Sequence, residues 1–150
     1  MPNTYTCLPV HFIFSTKDRL NLIARDLESD LWAFLGGIAK ENGMKPIKIG
    51  GVENHIHALV GLPPTLSCAN AMKFLKGGSS RWINSEKRVG QLRFSWQDGY
   101  AAFAVSRSAL EEVVKYITNQ RSHHQKVSFE DEYRRFLDRH GIAFDERYLF

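Results

Sequence analysis

The chain has 150 residues, with 20 Lys and Arg against 16 Asp and Glu and a formal net charge of +4, a mild balance that permits an anionic partner without requiring one. That length suits one domain, 1–150, and is short for two, while two cysteines outside any C-x-x-C spacing argue against a disulfide framework or a thiolate metal site. No apolar run reaches the roughly 18–20 residues of a membrane span and no basic segment feeding an apolar stretch follows Met1, so a soluble, cytoplasmic protein with no membrane partner is expected.

Residues 5–16 are β-branched and aromatic and predict a strand beginning after Pro9. Over 26–42, Leu27, Leu31, Trp32, Phe34, Leu35 and Ile38 recur at helical spacing, and Asn42-Gly43 supplies a stop. Residues 46–52 and 55–61 are two short β-rich runs whose separation by Glu53-Asn54 fits a hairpin. A second helix is expected over 67–84, with Gly77-Gly78 as a break or kink, followed by a polar loop over 85–91. Phe94-Ser95-Trp96 and residues 101–105 flank the turn-forming Asp98-Gly99 and predict a last strand region, read as a hairpin of its own.

Ser108-Ala-Leu-Glu111 has capping-box spacing and predicts one continuous helix over 109–124. Ser128 opens a final helix ending at Gly141. The order β-α-β-β-α-β followed by helices predicts an α+β fold: a ferredoxin-like split βαβ (RRM-like) antiparallel sheet with helices on one face, plus C-terminal helices carrying Tyr116. The other sheet face is then expected to be free for a ligand or partner.

Residues i and i+2 of a strand point the same way, so His55 and His57 share one face while Ile56, Ala58 and Val60 point into the core. Two such histidines, taken alone, are as often structural or solvent-facing as metal-ligating. In the helix after Ser108, Leu110, Val113, Val114 and Ile117 form one apolar stripe. Tyr116 lies off that stripe with Gln120 beside it, one turn on. By themselves these two read as a surface tyrosine and a solvated glutamine.

His-hydrophobic-His on a strand followed by Tyr-x-x-x-Gln on a late helix resembles the HUH single-tyrosine transposases of the IS200/IS605 type, REP-associated tyrosine transposases included. The likeness extends to Val10-His-Phe-Ile-Phe-Ser-Thr-Lys17, Lys73-Phe-Leu-Lys-Gly-Gly-Ser-Ser-Arg81-Trp-Ile-Asn84, Trp96-Gln-Asp-Gly-Tyr-Ala-Ala-Phe103, Tyr116-Ile-Thr-Asn-Gln120-Arg-Ser-His-His124, Phe129-Glu-Asp-Glu-Tyr133 and His140-Gly-Ile-Ala-Phe-Asp-Glu-Arg-Tyr148, nearly the whole chain. The resemblance implies that His55, His57 and Gln120 bind a divalent metal, Mg²⁺ or Mn²⁺. It also implies that Tyr116 attacks single-stranded DNA to give a 5′-phosphotyrosine and a free 3′-hydroxyl. The implied partner is single-stranded DNA with hairpin-containing element ends, and the implied assembly is a homodimer in which the tyrosine helix serves either its own or the other subunit.

Two neutral imidazoles and a neutral amide leave a cation its full double charge to polarise a phosphate oxygen, which carboxylate ligands would reduce. A phenol, with an ordinary pKa of about 10, needs such a field, a base or nearby cations to become a nucleophile. Lys17, Lys73, Lys76 and Arg81 are expected to line a DNA path, Gly77-Gly78 and Ser79-Ser80 offering close backbone approach to phosphates. Asn54 reads first as a turn residue and second as a group orienting a histidine; His123 and His124 either hold phosphate or close their helix, the latter being preferred for His124. Phe94 and Trp96 read as core residues before base-stacking ones. Competing functions are a replication initiator or relaxase, which would need a longer chain, and a nucleic-acid-binding split βαβ module without metal. A histidine-triad hydrolase fails because Leu59 stands where its third histidine would be.

Overall fold

The computed structural model describes residues 3–86, 88–90 and 92–150; of the loop expected over 85–91, Lys87 and Gln91 lie outside them. In chain order the elements are β1 (Pro9–Ser15), α1 (Arg25–Glu41), β2 (Lys45–Val52), β3 (His55–Gly61), α2 (Cys68–Ser85), β4 (Ala101–Ala104), α3 (Leu110–Thr118), α4 (Gln120–His123) and α5 (Phe129–Arg139). The four strands form one antiparallel sheet in the order β2-β3-β1-β4, the ferredoxin-like arrangement that the order of elements predicts. No helix among the described residues is long and apolar enough to cross a membrane.

Strand alternation sorts the sheet into two faces. Phe12, Phe14, Ile56, Ala58 and Val60 face α1 and α2, burying Leu27, Leu31, Leu35, Met72 and Leu75 against them. The opposite face carries His11, Ile13, Ser15, His55, His57 and Phe103, with Ile13 paired to His57 and Ser15 to His55. That face is not free, as the sequence pattern had suggested. Phe129, Tyr133 and Leu137 of α5, with Leu149 of the C-terminal segment, build a second core on Ile13, Ala101 and Phe103. The reason is amphipathic: α5 has an apolar stripe that must be buried, and this sheet face is the surface left for it.

Three local expectations are corrected. First, α2 runs unbroken through Gly77-Gly78, because Gly78 is where α1 passes: a Cβ there would stand 2.7 Å from Ile38 Cδ1. Second, Trp96 does not pair with β4 but bridges to Thr16. Asn84 holds both backbone groups of Phe94, at 2.8 and 2.9 Å, and Ser79 Oγ accepts from the Trp96 indole at 3.0 Å, so α2 claims this segment. Phe94 and Trp96 are core residues, as expected.

Third, the capping box does not form and the helix over 109–124 is broken. Ser108 Oγ contacts Ser106 Oγ, the turn Arg107–Ala109 is 3-10, and α3 begins at Leu110. Asn119, at φ −96° and ψ 21°, separates α3 from α4. At the break the Gln120 side-chain amide donates to the Tyr116 carbonyl, the acceptor that a backbone N–H four residues on takes in an unbroken helix.

Candidate metal and nucleophile site

The tyrosine helix reaches the sheet because β2 has no side chain in its way. A Cβ on Gly50 would stand 2.9 Å from Ile117 Cγ2 and 3.1 Å from the Ile117 carbonyl oxygen, so α3 lies directly on the strand that pairs Gly50 with His57. Arg121 then fixes α4 by ion pairs to Glu53, at 2.6 Å, and to Glu28. This docking brings Tyr116 and Gln120 to the two histidines.

His55 and His57 are wholly buried, and Gln120 and Glu132 are each 1 % exposed. Glu132 Oε1 lies 3.0 Å from His57 Nε2, 3.5 Å from His55 Nε2 and 3.2 Å from His124 Nε2. Gln120 Oε1 lies 3.1 Å from His55 Nε2 and 2.9 Å from His124 Nε2. The second oxygen of Glu132 accepts from the Tyr116 hydroxyl, and His123 Nε2 is 3.2 Å from that hydroxyl. The Tyr116 ring stands edge-on to His57, centroids 5.6 Å apart.

Protons tell what this cluster is suited to. His124 Nδ1 donates to the Val127 carbonyl at 2.7 Å, so a neutral His124 turns a bare lone pair at Nε2 toward the oxygens of Gln120 and Glu132. His55 Nδ1 likewise donates to Asn54 Oδ1 at 2.8 Å, leaving its Nε2 lone pair to the same oxygens. Burial first, then the neighbouring His57, pushes the His55 pKa well below its ordinary value, which keeps that lone pair unprotonated. Lone pairs converging without a proton between them fit a cation. His55, His57, His124 and Glu132 offer ligand atoms all within 4.8 Å of one another. Donors held at about 2.0–2.2 Å from one ion stand roughly 3–4 Å apart, so a small inward movement of these side chains would suit the donor set to a metal ion.

Charge is also tuned around Tyr116. Burial would raise the Glu132 pKa, but hydrogen bonds from His124 and His57, made when those rings carry a proton at Nε2 in place of a bound cation, outweigh it and hold the carboxyl well below its ordinary value. Burial, then the charge of Glu132 and its hydrogen bond, raises the Tyr116 phenol far above 10. Burial likewise lowers His11 and His123. Without a compensating cation Tyr116 is therefore held as the neutral phenol.

Of the residues singled out in the sequence, His55, His57, Gln120 and Tyr116 come together. Sequence reasoning passed over Glu132 and His11 and took His124 for a helix end. Glu132 had a signal: it is a carboxylate inside the stripe Phe129, Tyr133, Phe136 and Leu137. His11 Nε2 contacts His57 Nδ1 at 2.8 Å and fixes that ring from behind, a place readable once β1 and β3 are paired. Asn54, expected first as a turn residue, is also the acceptor for His55.

The basic residues fare differently. Lys76 donates to the carbonyls of Gln97, at 2.8 Å, and Gly99, at 2.6 Å, and burial lowers its pKa to about 8, so it ties down the 97–99 loop. Ser79 is buried and Gly78 is packed on Ile38, so neither offers its backbone to phosphate. Lys17, Lys73 and Arg81 are exposed, the last two on α2, across the sheet from the histidines.

Residues 4–120 match the family model described as transposase IS200 like. The chain is 27 % identical over 120 residues to the ISDra2 transposase TnpA of Deinococcus radiodurans, covering 75 % of this chain and 84 % of that protein. A crystal structure of a candidate transposase from Deinococcus radiodurans R1 superposes with a TM-score of 0.63 at 26 % identity, over 79 % of this chain and 94 % of that one. The structure of a REP-associated tyrosine transposase bound to a REP hairpin gives a TM-score of 0.61 at 14 % identity, over 83 % of this chain and 73 % of that one, a likeness of fold. The family match ends at Gln120, so His124 and Glu132 lie beyond it.

Proposed function

This chain belongs to the IS200-like transposase family, a tyrosine transposase family of DNA strand cleavage and transfer, and from that premise we propose that it cuts and rejoins single-stranded DNA by transesterification through Tyr116. The observation that carries this reading is the Tyr116 hydroxyl held by Glu132, whose other oxygen faces three imidazoles. The phenol oxygen bonds to phosphorus as the bond to the 3′-oxygen breaks, giving a 5′-phosphotyrosine and a free 3′-hydroxyl. Glu132 orients the hydroxyl; the phenolic proton passes to water and the departing 3′-oxygen takes one from water, so protons balance. One phosphodiester replaces another, so a 3′-hydroxyl reverses the step without ATP.

His55, His57 and Gln120, joined by His124 and Glu132, would hold Mg²⁺ or Mn²⁺, which supplies a positive field for the phosphate and the phenolate. Asn54 and His11 set the directions in which His55 and His57 point. The likeness in fold to a tyrosine transposase bound to a REP hairpin supports single-stranded DNA with hairpin ends as the partner here. Exposed Lys17, Lys73 and Arg81 serve as outer phosphate contacts, and the cytoplasm, where such DNA is available, is the place of action.

Incubating the protein with Mg²⁺ or Mn²⁺ and end-labelled single-stranded DNA from its element end is expected to give a covalent adduct. Tyr116→Phe is expected to lose the adduct and keep DNA binding. An undiminished adduct in that variant would sink the assignment.

A homodimer is part of the same proposal. The chain's own Tyr116 already meets its own His57, which supports use in cis. Mixing Tyr116→Phe with His57→Ala subunits tests this: no recovery of cleavage is expected, and recovery means that the tyrosine works in trans.

A further inference from the structure

The nucleophile needs a place for the phosphorus it attacks. A cavity of about 290 Å³ opens over Tyr116, walled by His123, Glu132, Phe136 and two arginines of α5, Arg135 and Arg139, with Glu112 of α3 on another wall. Arg135 and Arg139 are one helical turn apart, so their side chains rise from the same face of α5. Most arginines nearby are committed to carboxylates. Arg134 pairs with Glu146 at 3.0 Å and with Asp131 at 3.7 Å, Arg121 with Glu53 and Glu28, and Arg19 with Glu130 at 2.8 Å. Among the described residues neither Arg135 nor Arg139 has such an ion pair, although Asp131, Asp138, Glu112 and Glu132 lie on these same elements.

Two uncommitted guanidinium groups in the wall of one cavity make a strong anion-binding arrangement, since each presents a planar fork of donors that matches the non-bridging oxygens of a phosphate. Glu132, the buried carboxylate of the cavity wall, is already engaged by the imidazoles and Tyr116 and makes no ion pair with either arginine. Arg139 is additionally steadied against the Phe136 ring, its Cζ 5.9 Å from the centroid. We propose that this cavity is the seat of the scissile phosphodiester, and that Arg135 and Arg139 grip its non-bridging oxygens while Tyr116 faces the phosphorus.

The inference rests on Tyr116 being the nucleophile, and its test separates the two. Binding is measured by fluorescence anisotropy in EDTA, in a Tyr116→Phe background, with an oligonucleotide bearing either the natural phosphodiester or a neutral methylphosphonate at the cleavage position. With both arginines present, the methylphosphonate is expected to weaken binding about tenfold, the scale of a charge-assisted hydrogen bond to phosphate. In the Arg135→Ala/Arg139→Ala double variant the natural strand should bind about tenfold more weakly, with no further loss on the methylphosphonate. The slope of log affinity against log salt should also fall by about 0.7 for each phosphate that is no longer neutralised. Arg135→Lys/Arg139→Lys should recover the salt slope, which a merely structural defect would not. Equal methylphosphonate penalties with and without the arginines overturn the inference, and if the protein with Tyr116 intact still forms its adduct, the nucleophile assignment stands. A protein that forms no adduct under any metal overturns both.

Discussion

Glu132 Oε1 stands 3.0 Å from His57 Nε2 while the other oxygen of the same carboxylate accepts the Tyr116 hydroxyl, so one side chain joins the imidazole cluster to the phenol. Glu132→Gln keeps the shape and removes the charge. Its cation affinity, measured by calorimetry with Mn²⁺, is expected to fall by at least about tenfold, as for loss of a close partner of a metal site. In EDTA the Tyr116 phenol of the same variant should titrate lower than in the parent, read from phenolate absorbance. It should stay above 10, because burial, the largest cause of the shift, remains. An unmoved cation affinity would remove Glu132 from the ligand set.

Asn54 carries the second prediction. Its Oδ1 accepts from His55 Nδ1, which fixes the ring so that Nε2 faces Gln120 and Glu132. Asn54→Ala should lower cation affinity by about 10–100-fold with the hairpin intact, since the Asn54 carbonyl that accepts from Thr16 is kept. Asn54→Asp keeps an acceptor and should bind the cation better than the alanine variant. If alanine binds as tightly as asparagine, Asn54 is a turn residue and nothing more.

The sheet and its inner core were legible in the sequence because Phe12, Phe14, Ile56, Ala58 and Val60 alternate with a period that only strands use. The histidine pair was legible for the same reason. What sequence periodicity could not carry was tertiary. Glu132 reaches His57 across 75 residues, and its membership in the cluster follows only once α5 is folded onto the sheet face that pattern reasoning left open. The break at Asn119 was hidden as well, since no proline or glycine marks it and a side chain, Gln120, satisfies the carbonyl that the break releases. Lys76 illustrates the converse: a lysine that reads as a phosphate contact is spent on two carbonyls of its own chain.

The docking of α3 gives the third prediction. Gly50→Ala places a methyl group 3.1 Å from the Ile117 carbonyl oxygen, and backbone, unlike a side-chain tip, can give way only by moving the helix. Overpacking of this kind costs about 1–3 kcal/mol, and adduct yield should fall because Tyr116 rides on the displaced helix. Gly77→Ala is the matched control, with no atom within 4 Å of the new methyl group. In mid-helix it should raise stability by about 0.5–1 kcal/mol and leave the adduct unchanged. Equal effects of the two substitutions would mean that α3 does not depend on Gly50 for its seat.

Acid should destabilise the metal-free protein through its buried histidines. His11 and His55 are 2 % and 0 % exposed, and burial first, then the nearby His57, pushes both pKa values well below 6.5. The unfolded chain takes up protons at these residues near pH 6.5 while the folded chain does not, so their contribution to stability is fully present above 6.5. It is lost as pH falls from 6.5 toward the depressed values. Each of the two groups adds a slope approaching about 1.4 kcal/mol per pH unit below that point. The low Glu132 pKa acts in the same direction further down, its contribution being present above 4.5 and lost as pH drops below it. Urea unfolding in EDTA between about pH 5 and 8 should therefore give a stability that is level at the upper end and falls below 6.5. His11→Gln should flatten that fall by one group's share, and a profile without any decline between 6.5 and 5 would mean that these imidazoles take up protons inside the fold.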